Sequence, residues 1–433
     1  MENITLKCRV ITPMFMAGAD RRGVELRPSE FKGMMRFWWR AIKAEDNIED
    51  LRKKEAEIFG GTGEREGKSK ITIKVYPQPK DNDIGKNLKN DFQLEWRFDG
   101  RTNSLIGRDA GIGYLLYSTV LSGKEREYIK PNFQFFIEIS SYDENSFKNA
   151  LASLWASIYL GGFGTRARRG AGNIIVEEVE GDSKELDFIP KGENASKIFE
   201  WLKSNLDKCF SIIKCNNNFC TKYTNLSFSR IIISNEIFSD WKLVLNDIGK
   251  IYAEFRKNHK REIFDIAAFG LPITHKISGR RASPLLIKII SFKEKFYWIV
   301  LRLSGEFLQE GDVLVFKGKT QKPDYKLIDE FWNKLKENNK NKEFVLSCPE
   351  VLKKITEKIK KECDPDKIIL FGSRARGDAH KNADIDIAVE NPKKPISSID
   401  ISASLDIVDL KNANSDLTAR INREGVIIYE RKS

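Results

Sequence analysis

The chain has 433 residues, 41% of them hydrophobic and 31% charged, with 29 Gly and 13 Pro. That balance excludes collagen-like, low-complexity and disordered chains, and no run approaches the ~20 apolar residues of a membrane span. At about 150 residues per domain the length predicts roughly three domains. A net charge of +12 favours a polyanionic partner.

The first residues alternate rather than forming an apolar leader, so a secretory signal is not expected. The six Cys, at 8, 209, 215, 220, 348 and 363, form no CxxC pair, and Cys215 and Cys220 have no nearby His. A reduced, cytoplasmic chain without zinc is the reading. Residues 4–10 predict a half-buried strand with Ile4, Leu6, Cys8 and Val10 inward. Ser29 reads as the N-cap of a helix to about Lys43. A second helix is expected over 146–160 and a strand over 173–177. Strand, helix, strands, helix, strand is the order of a ferredoxin-like unit. Residues 185–205 are polar and read as a connection. A second unit follows: strand 226–233, helix 240–256, strands 285–291 and 296–303, and helix 326–336. The expected division is a first unit over 1–185, a second over 200–336, a solvated linker over 337–345 and a third unit over 346–433. That third unit opens with a helix over 351–363 and a buried strand over 367–371.

The charge is unevenly spread. Residues 346–433 hold 16 Lys/Arg against 15 Asp/Glu, which leaves 58 against 47 in residues 1–345. Helix 29–43 places Phe31, Met35, Trp38 and Ile42 inward, with Lys32, Arg36, Arg40 and Lys43 opposite and Trp39 amid the basic stripe. Cations flanking an aromatic suit single-stranded RNA; a merely wet amphipathic face is the plainer reading. Residues 161–172 (GGFGTRARRGAG) interleave Arg166, Arg168 and Arg169 with five Gly. Glycines such as Gly162 and Gly164 allow close backbone approach to phosphates, and arginines add forked donors. Arg280 and Arg281 sit at a further loop–strand junction. Residues 67–69 (GKS) imitate the end of a P-loop, but Thr62 stands where that motif needs Gly.

Together, residues 12–20 (TPMFMAGAD), 26–28 (LRP), 32–40 (KGMMRFWWR), 58–62 (IFGGT), 161–172 and 280–284 (RRASP) resemble the first RAMP subunit of the Cmr (type III-B) CRISPR effector complex, across about residues 1–335. The resemblance implies two ferredoxin-like RAMP folds in an α+β chain. It also implies other RAMP subunits as partners, and crRNA and target RNA bound near the crRNA 3′ end by a subunit that is not the slicing one.

The third unit carries FGSRARGD over 371–378, then DID over 384–386 and LDIV over 405–408. Asp384 and Asp386 alternate on a strand and point to one side. With a third carboxylate on a neighbouring strand they could hold two Mg²⁺ ions, while Gly372 and Ser373 form a turn able to receive a nucleoside triphosphate. This string resembles the minimal nucleotidyltransferases of the DNA polymerase β superfamily, which implies a small α/β domain over 346–433. By that resemblance Asp384 and Asp386 are metal ligands, and Asp406, rather than Asp409, is the third carboxylate that activates an acceptor hydroxyl. Arg374 and Arg376 would steady phosphates. With only a few residues after Glu430, a helical domain over the nucleobase is not expected. Two other functions compete. A crRNA-processing RAMP endonuclease would want a placed His, and the chain has only His259, His275 and His380. A free-standing nucleotidyltransferase would use the first two units for substrate capture.

Overall fold

The computed structural model describes residues 1–18, 23–63, 66–102, 104–216, 218–273, 277–308, 312–323, 325–396 and 405–431, with backbone alone at 277–279. Ala19 and Asp20 of the first motif, and His275, lie outside the described residues.

Strand β1 (Glu2–Val10) buries Ile4, Leu6, Cys8 and Val10 as its alternation requires. Helix α1 (Pro28–Lys43) has its N-cap two residues before the expected one. Pro28, with its preset φ and no N–H to satisfy, takes the first helical position, and Arg27 rather than Ser29 is the N-cap. Helix α2 (Ile48–Phe59) and strand β2 (Ile71–Tyr76) follow. A short helix α3 (Ala110–Leu115) precedes strand β3 (Gln134–Ser141), helix α4 (Glu144–Tyr159) and strand β4 (Ile174–Gly181). Asp143 caps α4 by accepting from the Ser146 amide at 2.7 Å. The sheet order is β2-β3-β1-β4, every neighbour antiparallel, which is the ferredoxin-like arrangement.

Residues 185–205, expected to connect, instead feed helix α5 (Ala195–Ile213). Its Trp201, Leu202, Leu206 and Cys209 are buried against α4, which is why α4 is covered on nearly every side. Residues 185–194 do connect, while the polar residues from 195 on are the outer face of an amphipathic helix.

The second unit comprises β5 (Asn225–Ile233), α6 (Trp241–Asn258), β6 (Leu285–Phe292), β7 (Lys295–Ser304), α7 (Lys326–Glu337) and β8 (Lys342–Ser347). Its sheet order, β6-β7-β5-β8, repeats the first. The expected linker over 337–345 is therefore corrected: β8 is the fourth strand of this sheet, pairing Phe344 with Ile231. Every residue of β5 is buried, because α6 and α7 cover one face of the sheet and the first unit covers the other. Ile231, Leu286, Ile299 and Leu346 share one apolar cluster with Leu6, Trp38 and Trp155. The two units are halves of a continuous core.

The third unit comprises α8 (Glu350–Cys363), β9 (Lys367–Phe371), a single turn α9 (Gly372–Arg376), β10 (Ile385–Glu390), β11 (Leu405–Asp409), α10 (Ser415–Glu424) and β12 (Val426–Glu430). Its sheet runs β11-β10-β9-β12, with β10 and β11 parallel and the other neighbours antiparallel. The chain is thus α+β: two ferredoxin-like units and a small α/β domain.

Candidate nucleic-acid interface and nucleotide site

The basic stripe of α1 is not the wet face its spacing suggested. Trp39 is buried and donates its indole N–H to Asn149 Oδ1 at 2.9 Å. It is a core residue of the α1–α4 contact, so the stacking role expected of it is corrected. Arg36 and Arg40 both bind Glu55 of α2, Arg40 at 2.7 and 2.8 Å, and the Glu55 carboxylate is only 5% exposed. Lys43 donates to the carbonyls of Ile213 and Lys214 at the end of α5, at 3.3 and 2.5 Å. These three cations tie helices together rather than standing free. Lys32 is half-buried; burial, with help from Arg36, holds its ammonium pKa below the usual lysine range.

The aromatic that does face outward from α1 is Phe37, which sequence reasoning passed over. It lines a cleft of about 470 Å³ together with Gly162, Gly164, Arg166, Arg168 and Arg169. Here the glycine-rich loop meets the second unit. Gly164 has φ +80° and lies against the Phe15 backbone, so a side chain there would be blocked. The Arg168 guanidinium lies 5.1 Å from the Phe37 ring and donates to Ser283 O at 3.0 Å. Arg169 donates to Phe269 O at 3.0 Å, and Arg166 to Leu115 O at 2.7 Å. Arg281 donates to Glu306 O and packs over Phe307, while Arg280 is exposed. The acceptors are carbonyls, not carboxylates. Among the described residues no carboxylate acts on Arg166 or Arg168 and none pairs with Arg169, whereas Arg281 feels the Glu306 carboxylate. Burial pushes the Arg166 and Arg168 guanidinium pKa values down to about 10, with Arg169 adding repulsion in each case. The loop is both a bracket between units and an uncompensated positive field. Its alternative as a turn with surface arginines does not hold, since these side chains are half-buried.

In the third unit, Asp386 and Asp406 are register partners on β10 and β11, with Asp384 just before β10. Burial raises the Asp386 carboxyl pKa, and Asp406, Asp384 and Glu424 push it further up against the pull of Arg420. Gly372 has φ +73°, and a Cβ there would collide with the Asp386 carboxylate. The sequence motif thus brings Gly372, Asp384, Asp386 and Asp406 together, with Ser373 half-buried beside them. The two arginines of the motif already have partners within the protein. Arg374 is buried and donates to Lys381 O and Ala383 O at 3.1 and 2.7 Å, over the Phe219 ring. Arg376 binds Glu424 Oε2 at 2.8 Å and lies against Asp378. Both are internal braces of the loop, and Asp384 and Asp386 still act on the Arg374 guanidinium. The residue missed by sequence reasoning is Glu424, fully buried, which accepts from the Gly372 amide at 2.9 Å and from Arg420 at 2.8 Å. Its four-residue spacing from Arg420 on a helix was the available signal. Among the described residues no three of His, Cys, Asp and Glu enclose a metal position.

The loop 372–378 is also fastened to the second unit. Arg302 of β7, paired with Asp329 inside the core, donates to Arg376 O at 2.7 Å. Arg230 of β5 donates to Ala375 O at 3.3 Å, and the Gly305 amide to Gly377 O at 3.0 Å. His259 and His380 bond Glu262 and Glu306 and stand outside the lining of the glycine-loop cleft. No helix among the described residues is long and apolar enough to cross a membrane.

Residues 7–175 match the RAMP superfamily, and residues 353–433 match the family described as polymerase beta, nucleotidyltransferase. The fold and these matches define a RAMP protein with a C-terminal nucleotidyltransferase domain. Two curated relatives come from Pyrococcus furiosus. CRISPR system Cmr subunit Cmr1-2 is 35% identical over 181 residues, covering 39% of this chain and 91% of that protein. Cmr subunit Cmr1-1 is 28% identical over 292 residues, covering 64% of this chain and 80% of that protein. The crystal structure of Cmr1 from the same organism superposes with a TM-score of 0.57 at 22% identity, over 81% of this chain and all of that one. The chain belongs to the Cmr1 family, the first RAMP subunit of the type III-B Cmr systems.

Proposed function

We propose that the chain is the RNA-binding Cmr1-type subunit of a type III-B RNA-guided effector. It holds crRNA and target RNA near the crRNA 3′ end, beside other RAMP subunits. The carrying observation is the glycine-loop cleft, where Arg166, Arg168 and Arg169 converge beside Phe37 with no acidic partner among the described residues. Phosphates would supply the missing counter-charge, and Phe37 a surface on which a base stacks. The relatives' place in Cmr systems supports the same reading. Among the described residues no His lines this cleft, and general acid–base cleavage of RNA would want one there. The test is fluorescence anisotropy of labelled single-stranded RNA with the full chain across a salt series. Log K should fall linearly with log salt, and Arg168→Gln should weaken binding and lower the slope by about one. RNA affinity that is independent of both salt and Arg168 would overturn the assignment.

For the third unit the proposed role is Mg²⁺-dependent binding of a nucleoside triphosphate at Asp384, Asp386 and Asp406. The donors are hard oxygen ligands, which suits Mg²⁺. They form no closed cage, and Mg²⁺ is commonly held by one or two carboxylates plus the substrate's own phosphates. When bound, the ion would screen the phosphates and lower the pKa of an attacking hydroxyl. The chain's own contribution is Gly372, whose missing side chain leaves Asp386 accessible from the turn. The Gly372 amide is already given to Glu424, so the turn offers phosphates less than the motif suggests. Calorimetry with Mg²⁺ and each triphosphate should show binding that Asp384→Asn/Asp386→Asn abolishes, with RNA affinity unchanged. Silence of the wild-type protein toward every triphosphate would leave the domain as a docking surface.

A further inference from the structure

A second cavity, of about 430 Å³, opens where the basic face of α6 passes the short helix α3. That is within the range of small-molecule and nucleotide pockets. Its walls are largely apolar, with Leu105 and Ile106 on one side and Ile263 and Ile266 on another, and Tyr114 contributes the aromatic surface. Lys250, Arg256 and Lys257 of α6 stand at its lining, with Lys260 just beyond the end of the helix. The single acid there, Glu254, is drawn to Lys334 at 3.5 Å.

Arg256 is the telling residue. Its guanidinium rests over the Tyr252 and Phe269 rings at 5.8 and 5.7 Å, and it meets the Tyr252 hydroxyl at 3.5 Å. Among the described residues no carboxylate acts on it. Tyr252 is shared: Arg169 of the glycine-rich loop stacks on it from 4.9 Å. Burial alone would raise the Tyr252 phenol pKa, yet Arg169 and Arg256 together bring it below the ordinary tyrosine value. The positive field of the loop therefore runs without interruption through Tyr252 to this cavity. An apolar slot with one aromatic and an unneutralised cationic rim suits a ligand with a planar body and a phosphate.

We propose that this cavity is a nucleotide subsite for single-stranded RNA, with Arg256, Lys250 and Lys257 receiving a phosphate and the base entering against Tyr114. The proposal rests on the RNA-binding reading above and extends it from the glycine-loop cleft to α6. The inward face of α6, Trp241, Val244, Ile248 and Phe255, accounts for the helix by itself, so the pattern carries no signal for its basic side.

The test uses the full chain and labelled single-stranded RNA. Lys250→Glu/Lys257→Glu changes two exposed side chains, so the fold should survive; affinity should drop at least tenfold and the salt slope by about two. Ala253→Trp fills the cavity and should weaken binding severalfold with little change of slope, provided its circular dichroism matches the parent. RNA containing 4-thiouridine should cross-link to α3 or α6 in the wild type and lose that adduct in Ala253→Trp. If wild-type protein binds RNA and the lysine variant binds it equally well, the subsite is wrong while the RNA-binding reading stands. If wild-type protein binds no RNA, both fail. Adenosine or uridine 5′-monophosphate is titrated in parallel. Tight binding of the mononucleotide, lost in Ala253→Trp while RNA affinity is kept, would assign the cavity to a free nucleotide and overturn the proposal. Binding of poly-glutamate in place of RNA would likewise overturn it in favour of an acidic protein partner.

Discussion

Glu55 shows how a single residue can redefine a functional surface. It lies 5% exposed under two arginines that are each 36% exposed, so its charge is tolerable only because Arg36 and Arg40 hold it. Removing both arginines leaves a buried carboxylate without a cation. Arg36→Ala/Arg40→Ala should cost about 2–3 kcal/mol, less than a fully buried pair because water already screens the guanidinium side. Adding Glu55→Gln should recover more than half of that. Urea denaturation of the three proteins checks it, and a double variant as stable as the parent would return these arginines to the wet face. Lys288 is the opposite case. It is buried in β6, donates to Ile158 O, and burial pushes its ammonium pKa down to about 7. In the unfolded chain the value is about 10.4. Between those values the unfolded state binds more protons, so stability should rise as pH rises from about 7 to 10. Lys288→Met should stabilise most near pH 6.5, and the gain should shrink by pH 9.5. Parallel slopes for the two proteins would refute the buried-amine account.

At the scale of the element, α1 is a helix with two jobs on unexpected faces. Trp38 and Trp39 are both buried, since α2, α4 and the sheets surround the helix on more than the usual single stripe. Trp39→Phe keeps the ring but strands Asn149 Oδ1, and should cost about 1–3 kcal/mol. RNA affinity should remain within twofold of the parent. Phe37→Ala should do the reverse: a smaller stability change, because the ring is half-exposed, and weaker RNA binding through loss of the stacking surface. Thermal denaturation beside anisotropy separates the two, and an RNA-binding loss confined to Trp39→Phe would restore the original assignment.

At the scale of the molecule, the third unit is not tethered by a free linker. Strand β8 belongs to the second sheet and runs almost directly into α8. The loop 372–378, which forms one wall of the proposed nucleotide site, hangs on Arg302 and Arg230 of that sheet. Arg302 and Asp329 are each 2% exposed. Arg302→Met should therefore cost about 3–5 kcal/mol by leaving Asp329 buried and unpaired, and should release the loop as well. Calorimetry should show one cooperative transition for the wild-type chain and an earlier, separate transition of the third unit in the variant. Two transitions in the wild type would mean that the contact is too weak to couple the domains.

The amino-acid sequence by itself determined the elements whose pattern is local. The alternation of β1, the inward stripe of α6, the glycine–arginine loop and the GSRARGD–DID string were all legible, because each is set by periods of two or 3.6 or by a tight turn. The order of those elements specified the first ferredoxin-like unit, while the second and the nucleotidyltransferase domain followed from the motifs that resemble known families. Only the tertiary structure decided which charges are free. Glu55 neutralises Arg36 and Arg40, Asn149 lies 110 positions from Trp39, and Glu424 lies 52 from Gly372. The second covering layer was equally hidden. Helix α5 and strand β8 look solvated along the chain, yet each is covered by an element distant in sequence. A local period records one buried face. Burial of the second face, and the pairing of the cations that faced it, depends on elements that meet only after the chain has closed its cores.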